Sequence, residues 1–173
     1  MPDSQATPPP FSPPVSVLFV CLGNICRSPM AEGIFLDLLD GDPRFEVDSA
    51  GTGSWHVGER PDPRARAVAE ENGIPLHSRG RQVTAEDLDR FQMVIAMDRA
   101  NLRALEGLRS RAGNGEAELR LLRAFDPEAD PESNPDDLDV PDPYWDDDGF
   151  QEVFSMLTRS LEALFDHLEE RLP

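Results

Sequence analysis

Val17-Leu18-Phe19-Val20-Cys21-Leu22-Gly23-Asn24-Ile25-Cys26-Arg27-Ser28-Pro29 runs from an apolar, β-branched segment into a cysteine, a short loop, an arginine and a serine, and then into an amphipathic stretch. The apolar run reads as a buried strand and the stretch after Ser28 as a helix. A thiol delivered by a strand into a loop at a helix N-terminus is placed to attack phosphate. The loop N–H groups and the helix dipole hold an anion, and the same field favours the thiolate of Cys21. Arg27 can grip two phosphate oxygens through its planar fork. Gly23 and Asn24 are the residue types that best tolerate the backbone angles a loop needs if its N–H groups are to point inward. Ser28 can donate to the thiolate or cap the helix, and the two roles are compatible.

Working outward, strand and helix patterns alternate. Strands are expected at 15–20, 45–48, 93–97 and 119–122. Helices are expected at 29–39, 62–72, 85–91, 101–108 and 150–172. Pro29 suits a first helical turn and Gly73 a helix stop. Val153, Phe154, Leu157, Leu161, Leu164, Phe165 and Leu168 form a core-facing stripe on the last helix. This alternation predicts an α/β fold with a parallel sheet covered on both faces. Ligands of such sheets bind beyond the carboxyl ends of the strands, which is where Cys21 lies.

The chain of 173 residues makes one domain, expected at 15–173. Residues 1–14 hold Pro2, Pro8, Pro9, Pro10, Pro13 and Pro14 among polar residues and are expected to form a disordered tail. There is no apolar run of membrane-spanning length and no secretory signal pattern. The two cysteines provide neither a disulfide framework nor a zinc site, and a reducing, cytoplasmic setting suits a catalytic thiolate. The 34 acidic residues face 16 basic ones, all arginine, for a net charge of -18. Nucleic acid and anionic membrane are excluded as partners by repulsion. The acidic, lysine-free surface fits adaptation to high internal salt, with arginine-rich codon usage as the alternative.

The loop Cys21-Leu-Gly-Asn-Ile-Cys-Arg-Ser-Pro resembles that of the low-molecular-weight protein tyrosine phosphatases. So do Ser49-Ala50-Gly51-Thr52, Gly80-Arg81-Gln82-Val83-Thr84, Met97-Asp98 with Asn101-Leu102, and Asp142-Pro143-Tyr144, in the family's order across about residues 15–171. The resemblance implies a flavodoxin-like, four-stranded parallel sheet with helices on both faces. It also implies metal-independent, cofactor-free hydrolysis of protein phosphotyrosine through a cysteinyl-phosphate. Asn24 takes the family's loop-bracing role. Leu22, Gly23, Ile25, Cys26 and Ser28 complete the substrate loop.

Leaving-group departure needs a proton, and nine aspartates lie between Asp126 and Asp148. Composition does not choose among them, and most are expected to be solvated charges. The resemblance puts the general acid on Asp142, whose neighbours Pro141 and Pro143 stiffen the backbone around it. Tyr144 and Trp145 then follow as aromatic walls. Trp55 reads either as a third wall or as a packing tryptophan. Trp145 departs from the commoner second tyrosine. In the family the second thiol, here Cys26, can form a reversible disulfide with the nucleophile, while a small buried loop residue is the plain alternative. His77 stands one position before the family's loop-supporting histidine and reads as a surface residue, and His56 and His167 have no argued role.

Two enzymes of the same fold compete. A thioredoxin-coupled arsenate reductase needs a further cysteine pair, and no cysteine follows Cys26. A protein-arginine phosphatase tends to carry threonine where this loop has Ile25, whose apolar wall offers phosphoarginine's extra N–H groups no partner. A non-catalytic docking domain would not need the nucleophile, arginine and acid together. The implied partner is a phosphotyrosine-bearing protein. In bacterial relatives a tyrosine kinase of a polysaccharide export system is common, and no residue here speaks to it or to oligomeric state.

Overall fold

A computed structural model describes residues 10–113 and 115–173. Four parallel strands, β1 (Val15–Cys21), β2 (Phe45–Gly51), β3 (Met93–Ala96) and β4 (Glu118–Leu121), form one sheet in the order β2-β1-β3-β4. The first strand is central and entirely buried. Its alternation divides the interior into two cores. Val15, Val17, Phe19 and Cys21 face one side, and Leu18 and Val20 face the other.

On the first side lie α1 (Arg27–Leu39), α2 (Pro63–Glu71) and α5 (Phe150–Glu170), with Phe35 of α1 edge-on to Phe19 and Phe45 of the sheet and to Phe165 of α5. On the second side, the short α3 (Asp87–Arg90) and α4 (Arg99–Ala112) contribute Leu88 and Leu105. This is the flavodoxin-like arrangement expected, with helices on both faces. The stripe on α5 is buried as anticipated except for Phe165, which is partly buried.

Several boundaries differ from expectation for local reasons. Strand β2 continues to Gly51 because Gly51 pairs with Cys21 and bridges to Gln82. The third helix is only four residues long, since Phe91 turns extended and buries its ring in the second core. Helix α4 is longer at both ends: Asp98 caps its start through Asn101 N–H, and Gly113 ends it at φ 75°.

Residues 1–9 of the expected tail lie outside the described residues. The remainder is docked: Phe11 N–H donates to Arg171 O at 2.9 Å, the Arg171 guanidinium lies 3.8 Å from the Phe11 ring centre, and Gln92 Nε2 donates to Ser12 O and Pro14 O.

The aspartate-rich segment is more structured than a run of solvated charges. Three 3₁₀ turns, Pro135–Leu138, Pro143–Trp145 and Asp147–Gly149, are each capped by the side chain before them: Asn134, Asp142 and Asp146. Asp126 is buried between Arg123 and Arg159. Asp139 holds Arg99.

Candidate active site

The loop between β1 and α1 is shaped by where its carbonyls go. The oxygens of Cys21, Leu22 and Ile25 accept from the N–H groups of Thr52, Gly53 and Asp62, at 2.9, 2.9 and 2.8 Å. With those carbonyls bound outside the loop, its N–H groups are left for the interior, the concavity that receives an anion. Asn24 sits at φ 58°, the left-handed region that asparagine tolerates, and its N–H approaches Cys21 Sγ at 3.2 Å. Gly51 permits the close passage of the neighbouring strand, since a Cβ there would lie 2.8 Å from Leu22 O. The N-cap residue of α1, Cys26, makes no side-chain cap bond, and no acidic residue occupies the first turn. The helix N-terminus is therefore open to a ligand's charge.

Behind the loop lies a polar cluster. Ser28 Oγ is 3.0 Å from Cys21 Sγ and accepts from Asn24 Nδ2 at 2.8 Å. It does not cap the helix, so the capping role considered for it falls away: as the second residue of α1 its hydroxyl is turned to the thiol. Asn24 is held from three directions, donating also to Ser49 Oγ at 3.0 Å and accepting at Oδ1 from Arg81 N–H at 3.0 Å. Ser49 in turn donates to Glu32 at 2.6 Å.

Arg27 is only 2 % exposed. Its Nη1 donates to Asp98 Oδ2 at 2.7 Å and to Val140 O at 2.9 Å, which leaves the Nε–Nη2 edge toward the loop mouth. Burial works against its charge, but Cys21, Asp98 and Asp142 outweigh burial and hold the guanidinium protonated more firmly than an ordinary arginine. Val140 N–H bonds to Met97 O, which ties the acidic loop to the end of β3. Two residues later Asp142 lies over Arg27, Oδ2 at 3.7 Å from Nη2, while Oδ1 accepts from Tyr144 N–H at 3.1 Å.

These groups converge on a cleft of about 280 Å³ lined by Cys21, Leu22, Gly23, Ile25, Cys26, Arg27, Trp55, His56, Asp142, Tyr144 and Trp145. Asn24 and Ser28 stand behind it, supporting the thiol. Tyr144 is half-buried beneath the guanidinium of Arg64 and forms a wall, with Trp145 edge-on at 4.8 Å. Trp55 and Trp145 are 69 % and 87 % exposed, so both belong to the rim of the cleft rather than to its depth, and Trp55 is not a packing tryptophan. Cys21 and Cys26 are both free thiols, and burial, reinforced by Asp62, pushes the Cys26 thiol up. His77 is exposed, as expected.

Sequence reasoning missed four members of the site. Asp98 anchors Arg27, and its signal was the cap pattern Asp98-x-x-Asn101 at a strand end. His56 joins the wall, its ring 6.4 Å from Tyr144 and Nδ1 3.1 Å from Glu59. Ser49 and Glu32 complete the cluster behind the loop; Ser49 opens the segment Ser49-Ala50-Gly51-Thr52 that carries part of the family resemblance, and nothing in the local sequence marks Glu32. Burial pushes the Glu32 carboxyl up to about 7, against the Ser49 hydrogen bond, with Asp48 adding to the rise.

Residues 16–173 match the family model described as low molecular weight phosphotyrosine protein phosphatase. The chain is 43% identical over 167 residues to low molecular weight protein-tyrosine phosphatase A of Mycobacterium tuberculosis, covering 94% of this chain and 96% of that protein. Among solved structures, YfkJ from Bacillus subtilis superposes with a TM-score of 0.79 at 38% identity, covering 90% of this chain and 95% of the other. A Drosophila arginine phosphatase has the same TM-score of 0.79 at 32% identity, covering 87% and 96%. The chain belongs to the low molecular weight phosphotyrosine protein phosphatase family.

Proposed function

We propose that the domain of residues 15–173 hydrolyses phosphotyrosine in proteins, without metal or cofactor, with Cys21 as nucleophile. The thiolate attacks phosphorus, the bond from phosphorus to the tyrosine oxygen breaks, and Asp142 gives its proton to the departing phenolate. Water then attacks the cysteinyl-phosphate, Asp142 takes up the proton, the phosphorus–sulfur bond breaks, and phosphate leaves. Arg27 and the loop N–H groups stabilise the charge that develops on the equatorial oxygens in both steps.

The observation that carries this reading is the disposition of three groups in one cleft. The thiol meets Ser28, Arg27 is pinned by Asp98 with one edge free, and Asp142 stands across that edge beside Tyr144. Leu22, Ile25, Tyr144, Trp55 and Trp145 supply apolar and aromatic surface for a phosphorylated ring. A reducing, cytoplasmic setting and a tyrosine-phosphorylated protein, a kinase included, fit this chemistry. Arginine phosphatase activity is the second reading, suggested by the likeness to the Drosophila arginine phosphatase and opposed by Ile25 in the loop.

Steady-state hydrolysis of phosphotyrosine, phosphoserine and phosphoarginine peptides, with chelator present, tests the proposal. Phosphotyrosine should be preferred and Cys21→Ser should abolish turnover. Preference for phosphoarginine would replace the first reading with the second, and a Cys21→Ser variant with substantial turnover would overturn both.

A further inference from the structure

Asp142, Tyr144 and Trp145 belong to a stretch, residues 141–148, whose own bonds are local: Tyr144 N–H to Asp142, Asp146 N–H to Pro143 O and Asp148 N–H to Asp146. Among the described residues, two side-chain contacts tie it by hydrogen bond or ion pair to the rest of the molecule. Asp142 faces Arg27, and Asp147 accepts from Arg64. The first is loose, at 3.7 Å, and involves the Nη2 edge of Arg27 that a bound phosphate would take. The second lies away from the phosphate and survives its binding.

Arg64 is itself set against the phosphate loop. Its Nε and Nη2 fork onto the Asp62 carboxylate at 3.0 and 2.8 Å, and its backbone N–H adds a bond to the same group at 2.9 Å. Asp62 is buried, and its own N–H donates to Ile25 O at 2.8 Å. Pro63 at the start of α2 stiffens this corner. From there the guanidinium reaches out over the Tyr144 ring, 5.5 Å from its centre, and over Phe150 at 4.7 Å, before Nη1 meets Asp147.

We propose that Arg64 is a positioning residue for aryl recognition, fixing the distance from the phosphate loop to the Tyr144 ring, with Asp147 as its catch on the far side. This rests on the reading of the cleft as the site that takes phosphotyrosine. A phosphorylated ring fits only if its phosphate and its aromatic wall are a set distance apart. Asp62 and Arg64 span that distance with three bonds and one stacked plane. A lysine in the same place would keep the charge but lose both the fork and the stack.

The test is the dissociation constant of benzylphosphonate against that of inorganic phosphate, by calorimetry, beside steady-state hydrolysis of a phosphotyrosine peptide. Arg64→Met and Arg64→Lys should each weaken benzylphosphonate and raise the peptide KM by about fivefold or more. Inorganic phosphate, which needs only the loop and Arg27, should stay within about 1.5-fold. Asp147 is 83 % exposed at its side chain, so its ion pair contributes less, and Asp147→Asn should weaken benzylphosphonate by about threefold. Arg64→Met combined with Tyr144→Ala should bind no worse than Tyr144→Ala alone, since Arg64 acts through the ring. Phosphate affinity falling in parallel would reduce Arg64 to a support of the loop and overturn the proposal. So would unchanged benzylphosphonate binding, or effects that multiply in the double variant. Should the Arg64 variants fail to fold, Asp147→Asn decides: weakened benzylphosphonate with unchanged phosphate supports the proposal, and wild-type binding of both sinks it. The binding ratio needs no turnover, so a protein that binds benzylphosphonate yet hydrolyses no phosphotyrosine separates failure of the functional reading from failure of this one.

Discussion

Two carboxylates approach one guanidinium and divide the work by distance. Asp98, at 2.7 Å and capping α4 with its other oxygen, is locked and orients Arg27. Asp142 lies farther off, Oδ2 at 3.7 Å from Arg27 Nη2 while Oδ1 accepts from Tyr144 N–H, the looser hold that the proposed proton transfer needs. Asp142→Asn should therefore slow turnover by about 10²- to 10⁴-fold, with the larger loss for esters of poorer leaving groups. A Brønsted series of aryl phosphates checks this, and equal losses across the series would remove Asp142 as the acid. Cys21 and Arg27 could be read from sequence because one loop carries both, so their spacing is itself the geometry. Asp98 and Ser49 stand in segments that carry the family resemblance but give no hint of what they touch, and Glu32 is unmarked, because all three reach the site from other strand ends or a later helical turn and only the folded sheet brings them together.

At the level of elements, the alternating strands and helices were legible because each strand is short, apolar and bounded by turn chemistry. Boundaries were less so wherever a tertiary contact decides them. Gly51 extends β2 only because Cys21 lies opposite, and Phe91 leaves its helix only because a core receives its ring. In the acidic loop most aspartates are exposed, as expected of solvated charges, and exceptions such as Asp126 and Asp139 turn on arginines elsewhere in the chain. One ring sits at the joint between α1, the sheet and α5. Phe35 is fully buried and touches Phe19, Phe45 and Phe165. Phe35→Ala should cost about 3–5 kcal/mol, measured by urea unfolding. Since α1 also opens the phosphate loop, activity should fall at denaturant concentrations below the global midpoint of that variant.

Across the whole molecule, a net charge of -18 places dense negative charge over a surface whose arginines are largely engaged, as with Arg99 between Asp136 and Asp139 or Arg64 with Asp62 and Asp147. Repulsion among unmatched carboxylates is screened within about 3 Å at molar salt. The melting temperature should therefore rise between dilute buffer and molar potassium chloride. A flat or falling curve would mean that the exposed ion pairs outweigh the repulsion, and the salt-adaptation reading of the composition would fail. Among the described residues, no helix is long and apolar enough to cross a membrane. One architectural consequence concerns handling. Phe11 is pinned to Arg171, so both ends of the described chain emerge beside the starting edge of the sheet. Cys21 lies at the opposite edge, about 20 Å away along a seven-residue strand. Tethered to a bead or a sensor chip through its C-terminal end, the protein would turn its cleft outward, and bulky phosphoproteins should reach an immobilised layer as readily as they reach the free molecule.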